Sequence, residues 1–102
     1  MLLSDSYMKS LCNKIASDIN KVQFKVNGEW IDGHFTGKSS GINVVSIAIV
    51  LTNTEALVIK GIRFVDSSDE VVAEISENIT KGTGSVFSGV FEIEITERKE
   101  SV

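Results

Sequence analysis

The 102-residue chain contains no proline, one cysteine and one histidine. Because the single cysteine has no partner, a disulfide within the chain is excluded. Cys12 and His34 are also too few to build a zinc cage of cysteine and histidine ligands. A serine–histidine–aspartate site would depend on His34 alone. We therefore expect no metal and no cofactor, and the absence of proline argues against proline-rich linkers.

Long hydrophobic runs and a basic amino-terminal segment are absent as well. The longest apolar run, 47–51, is far shorter than the roughly 20 residues that span a bilayer. The first residues lack the charged and apolar regions of a secretory signal. The lone Cys12 is compatible with a reducing compartment. We expect a cytoplasmic protein that has no membrane partner.

Charge is distributed unevenly along the chain. Residues 1–65 carry seven bases and five acids, whereas residues 66–102 carry three bases and nine acids. The net charges of these two parts are therefore +2 and −6. An acidic second part opposes nucleic acid binding, which requires a basic footprint. We expect no nucleic acid partner, and we expect the charge asymmetry to matter for a protein partner.

The apolar periodicity predicts one helix followed by strands. Apolar side chains recur every three or four residues at 6–20, which predicts an amphipathic helix. From 21 to about 97 the period is near two, which predicts strands, and the polar tail 98–102 is expected to fray. The prediction is a single domain over 1–102, of α+β or mainly β class. Its amino-terminal helix precedes about six antiparallel strands, arranged as a meander or as a β-sandwich.

Glycine positions mark the first predicted turns. The dipeptide Asn27-Gly28 is the strongest hairpin signal in the chain, because both positions tolerate positive φ angles. Gly33 follows only five residues later, so it is expected to be a bulge or a bend within the return strand. Small and polar residues at 36–41 predict a flexible loop.

The later strands carry three further expectations. Residues 42–52 are apolar at both odd and even positions, which predicts a central strand covered on both faces. The apolar alternation slips by one residue at Lys60-Gly61, which predicts a bulge. In the last strand, Glu92 and Glu94 are expected on a solvated face opposite the core.

Three segments partly match motifs that carry chemistry. The sequence Gly-Lys-Ser at 37–39 lacks the first glycine and the following helix of a phosphate-binding loop. Residues 66–77 have Val71 at the position where a calcium loop requires glycine, so a polar turn is expected at 66–69 instead. Cys12 lies on the apolar stripe of the helix, where an inert thiol is expected and a dyad with His34 is not. We therefore expect no enzyme.

Trp30, beside the first turn, is either a core residue or an interface anchor. The sequence favours a non-catalytic β-rich protein-interaction or structural assembly module that binds a protein partner or associates with itself. One version is a subunit of a phage-like or other multi-protein assembly. The alternative is a small-ligand binding protein with a pocket between helix and sheet, near Trp30, His34 and Phe35.

Overall fold

A computed structural model describes residues 3–97, so the tail that the sequence predicts to fray at 98–102 lies outside the described residues. The helix, α1, runs from Asp5 to Asp18. It begins there because Ser4 is the cap: its hydroxyl accepts a hydrogen bond from the Tyr7 amide at 3.2 Å. The predicted apolar stripe is confirmed, since Met8 and Cys12 are fully buried.

The described residues form seven strands in two antiparallel sheets, which confirms the α+β, mainly β class. The first sheet has the order β2-β1-β5-β6 and the second has the order β3-β4-β7. The strands are β1 (Lys21–Val26), β2 (Glu29–Asp32), β3 (His34–Ser40), β4 (Val44–Leu51), β5 (Leu57–Val65), β6 (Val71–Lys81) and β7 (Phe87–Glu94).

Over its described residues the structure has seven strands and not about six, because Gly33 separates β2 from β3. The predicted hairpin turn is confirmed, because Asn27 and Gly28 have φ angles of 54° and 79°. Gly33 then carries the chain from β2 in the first sheet to β3 in the second. The predicted loop at 36–41 is wrong, since residues 36–40 belong to β3 and pair with β4. Polar, small side chains are tolerated there because β3 is an edge strand.

The inner faces of the two sheets pack on each other and on α1. Phe24 and Phe87 meet edge to face with ring centroids 5.8 Å apart, and Phe64 and Phe91 meet similarly at 6.4 Å. Fully buried side chains come from the helix region and from both sheets, among them Cys12, Phe24 and Ile47. The core is therefore shared by the helix and both sheets.

Strand β4 has more apolar side chains than the fold buries. It is the central strand of the second sheet, as predicted. Its inward side chains, Val45, Ile47, Ile49 and Leu51, are buried. Its outward side chains are only half-buried, so the expectation that β4 is covered on both faces is wrong for residues 3–97.

Bulges in the strand pairs determine which side chains reach which face. The bulge predicted at Lys60-Gly61 is confirmed by a register shift between Ile59 and Gly61. A second bulge lies between Phe35 and Gly37, and the sequence pattern did not predict it. It turns Lys38 inward, where its ammonium group donates hydrogen bonds to the carbonyl oxygens of Ala16 and Ile19 at 2.9 and 2.7 Å. A cation thus stabilises the carboxyl end of α1.

Candidate interaction faces

The three residues singled out in the sequence lie on three different faces. Trp30 pairs with Lys25 and lies on the outer face of the first sheet. His34 pairs with Val50 and is exposed on the outer face of the second sheet. Phe35 is half-buried and packs against the core from the inner face of that sheet. Trp30, His34 and Phe35 therefore do not line one pocket between helix and sheet.

Trp30 lies flat across the first sheet. The nearest atom of its ring, Cη2, is 3.2 Å from the position that a Cβ on Gly61 would occupy, so the glycine leaves room for the ring. The Arg63 guanidinium carbon lies 4.2 Å from the ring centroid, and the Lys25 ammonium nitrogen lies 5.8 Å from it. These are cation–π distances. Trp30 is thus a half-buried surface residue between two cations.

The outer face of the first sheet carries the basic side chains of β1 and β5. We call this surface the basic face and define it by Lys25, Trp30, Lys60 and Arg63. Asp32, opposite Gln23, and Glu74, opposite Arg63, lie on the same surface, so these charged side chains sum to +1. Gln23 holds the arginine in place, because its Oε1 accepts from Arg63 Nε at 2.8 Å while its Nε2 donates to Asp32. Among the residues that the structure describes, no carboxylate oxygen lies within ion-pair distance of Lys25, Lys60 or Arg63.

The outer face of the second sheet is apolar at its centre. We call it the valine face and define it by Val44, Ala48, Val50 and Val90. Val90, directly opposite Ala48 in the β4–β7 pair, is 68% exposed, which is more than any other large apolar side chain in the described range. Gly37 and Ser39 on β3 add only small side chains to this surface, because they pair with the outward-facing Ala48 and Ser46. The helix lies against the inner face and leaves this surface open.

The valine face contains a shallow depression of about 240 Å³. Small residues make its floor and walls, and Val90 forms one rim; the lining residues are Gly37, Lys38, Ser39, Ser46, Ala48 and Val90. Its volume is below the roughly 300–1,000 Å³ of typical small-molecule pockets, and it is open to solvent. The depression has the dimensions of a recess for one or two side chains of another protein.

Acidic side chains border the valine face along β7. Glu92 is the residue two positions after Val90 on the same side of the strand, and Glu94 follows two positions later. Both are exposed, as the sequence predicted, and neither forms an ion pair within the range 3–97. Along the strand, Glu92 lies about 7 Å and Glu94 about 14 Å from Val90, so both carboxylates border a contact centred on Val90.

The groups available for chemistry are dispersed. Cys12 is buried, and its thiol donates a weak hydrogen bond to the Ile42 carbonyl oxygen at 3.6 Å. His34 is exposed on the opposite side of the second sheet, so the two do not form a dyad. The polar turn at 66–69 uses the Asp66 carboxylate to accept from the Ser68 and Glu70 amides. Among residues 3–97, no group of three or more histidine, cysteine, aspartate or glutamate side chains is arranged to hold a metal.

Comparison with protein-family models, curated proteins and solved structures gives no match for this chain. Within the described range, no helix combines the length and the apolar character that crossing a membrane requires. The proposed function below therefore rests on the two exposed sheet faces.

Sequence reasoning missed both faces because each is assembled from distant segments. Trp30, Lys25 and Arg63 are brought together by the pairing of β1 with β2 and with β5. Val90 joins Ala48 and Val50 only through the β4–β7 pair. One signal was present in the sequence: β4 is apolar on both faces, so a second covering layer was expected. The structure shows that the chain itself does not supply that layer over its described residues.

Proposed function

We propose that this protein is a non-catalytic structural assembly module, which associates with copies of itself through the valine face. The observation that supports the proposal is the uncovered outer surface of β4. Its side chains have the apolar composition of a strand buried on both faces, and only the inner ones are buried.

The energy available from this surface favours association. Burying one exposed valine side chain is worth about 1.5–3 kcal/mol, and Val90 is largely exposed in the monomer. Val44, Ala48 and Val50 add partly exposed apolar area beside it. Contiguous apolar surface with a polar rim is typical of protein–protein contacts, and Glu92 and Glu94 supply part of such a rim here.

The geometry also suits a protein partner better than a small ligand. The central side chains are short, so little side-chain entropy is lost when the surface is covered. A flat three-stranded face packs well against another sheet, at the spacing of about 10 Å that is common for stacked sheets. A subunit of a phage-like or other multi-protein particle is one setting for such a module.

Replacing Val90 by glutamate is expected to abolish self-association. Loss of one buried valine and burial of an unpaired carboxylate together weaken the contact by roughly 10-fold or more. The test is sedimentation velocity on the wild-type chain and Val90→Glu from about 10 µM to about 1 mM protein, where weak contacts are populated. The weight-average mass should rise with concentration for the wild type and stay at 11.1 kDa for Val90→Glu.

The matched control is Tyr7→Glu. Tyr7 is 55% exposed on α1, away from both outer faces, and the same apolar-to-acidic change is made there. It should associate like the wild type. A wild-type mass that stays monomeric over the whole range, or equal association of wild type and Val90→Glu, would contradict the proposed function.

A further inference from the structure

We propose that the valine face of one copy binds the basic face of the next copy, so that the chains stack head to tail. This inference rests on the proposed self-association and states which surface of the second copy contacts the valine face. The occupant of the valine face is a second copy of this chain.

Charge complementarity selects this pairing. On the basic face, no carboxylate of the described residues lies within ion-pair distance of Lys25, Lys60 or Arg63, and with Asp32 and Glu74 the charges sum to +1. The rim of the valine face carries Glu92 and Glu94, which sum to −2. Bringing these two surfaces together pairs cations with carboxylates. A contact between two valine faces would oppose four carboxylates, and a contact between two basic faces would oppose two surfaces of net positive charge. Like charges brought together across an interface are strongly unfavourable.

The basic face also presents side chains that are typical of interfaces. The indole of Trp30 and the guanidinium of Arg63 form a half-buried cation–π pair, 4.2 Å apart from ring centroid to Cζ. On the valine face, the depression of about 240 Å³ beside Val90 is open to a group of that kind. Tryptophan and arginine are the residues most enriched among interface hot spots.

The two faces lie on opposite sides of the molecule, which decides the type of assembly. A contact between different surfaces leaves one free face at each end of a dimer, and it can therefore repeat. The chain is elongated, with a radius of gyration of 15.7 Å against about 13 Å for a compact domain of 100 residues. Two broad faces on an elongated body suit a stacked row of copies.

The contact area predicts weak association. A face of three strands and eight residues measures roughly 14 by 26 Å, so a contact buries about 800 Å² in total. This is at the low end for specific interfaces, and we expect association at roughly 0.1–1 mM. It should also weaken with added salt, because the paired charges lie at the rim and are screened.

The test exchanges the charges of the two faces. One variant, Lys25→Glu/Lys60→Glu, makes both of its faces acidic; the other, Glu92→Lys/Glu94→Lys, makes both basic. All four side chains are exposed, so each variant should fold, and thermal melting checks this. Each variant alone should show at least a 10-fold weaker association than the wild type. An equimolar mixture should regain the wild-type concentration dependence, because both contacts are complementary again.

Matched controls remove the effect of net charge. Lys9→Glu/Lys14→Glu and Glu55→Lys/Glu70→Lys change the net charge of −4 by the same amounts, at exposed positions outside both faces. Each control alone should associate like the wild type. If a control loses association together with its matched face variant, net charge and not the pairing of faces is responsible, and the inference fails.

The outcomes separate the inference from the proposed function. If Lys25→Glu/Lys60→Glu associates like the wild type while Val90→Glu does not, the valine face binds something other than the basic face. The inference is then overturned and the proposed function stands. A mixture that stays monomeric also overturns the inference. If Val90→Glu associates like the wild type, both are overturned.

Discussion

Replacing Gly33 by alanine is expected to lower the free energy of unfolding by about 2–3 kcal/mol, as overpacking in a core does. A Cβ at this position would be 2.2 Å from Cε2 of the Phe24 ring and 3.0 Å from the Val50 carbonyl oxygen. Phe24 is fully buried and packs edge to face on Phe87, so its ring cannot move without disturbing the contact between sheets. The midpoint of thermal unfolding should fall by roughly 10–20 °C for a domain of this size.

The control for this prediction is Gly82→Ala. A Cβ on Gly82 meets no heavy atom within 4 Å, so that substitution should change stability by less than about 0.5 kcal/mol. Phe24→Leu supplies a second check, because a smaller side chain relieves the overlap. In the Gly33→Ala background, Phe24→Leu should cost clearly less than it does alone. Equal melting points for the two glycine variants, or simple additivity with Phe24→Leu, would show that Gly33 is not tightly enclosed.

Gly33 also matters for the two faces. The chain crosses from the first sheet to the second at this residue, between Asp32 at the end of β2 and His34 at the start of β3. Its backbone is held there by a hydrogen bond from its amide to the Val22 carbonyl oxygen at 2.9 Å. Trp30 therefore stays on one outer side of the molecule and β3 on the other.

Replacing Lys81 by methionine is expected to destabilise the fold by about 2–3 kcal/mol, with loss of charged hydrogen bonds as the main cause. Lys81 is only 5% exposed at the end of β6. Its ammonium group donates to the backbone carbonyl oxygens of Glu55 and Ser85, the latter at 2.8 Å, and more weakly to that of Gly82 at 3.5 Å. Methionine has a similar length and supplies no donor, so these carbonyl oxygens would lose a charged donor and be left to water.

This lysine connects two loops that position β7. It joins the loop after β4 to the loop before β7, where the Gly84 amide also donates to the Thr54 carbonyl oxygen at 2.8 Å. Equilibrium urea unfolding measures the loss, with Lys60→Met as the matched control. Lys60 is exposed and donates one hydrogen bond, to the Asn78 side chain, so its loss should cost less than about 1 kcal/mol. Similar stabilities of the two variants would mean that the Lys81 contacts contribute little.

Much of the fold follows from local patterns in the sequence. The helix, the Asn27-Gly28 turn and the Lys60-Gly61 bulge are each fixed by neighbouring residues, and all three were predicted. The strand at residues 34–40 was not predicted, because most of its side chains are small or polar. It is extended because it pairs with β4, which the local sequence does not show. The sequence pattern did not favour two sheets over a meander, because the apolar alternation predicts strands and does not show that the chain changes sheet at Gly33.

The candidate site was less predictable than the fold. The sequence leaves open whether Trp30 is a core residue or an interface anchor. The structure places it outside the core, next to Arg63 and Lys25. His34 and Phe35 were grouped with it by sequence proximity, but strand alternation sends them to other faces. Buried Lys81 gave no signal at all, because the three carbonyl groups that it binds come from loops.

The central claim is that copies of this chain associate through their two outer sheet faces. Amide and indole NMR spectra of the uniformly labelled wild-type chain, recorded on dilution from about 1 mM to about 20 µM, test it most directly at the concentrations where weak contacts dissociate. Concentration-dependent shifts should cluster at Ala48, Val90 and Glu92 and, equally, at Lys25 and the Trp30 indole. Shifts confined to one of these faces, shifts centred on α1, or spectra that do not change with concentration would contradict the account.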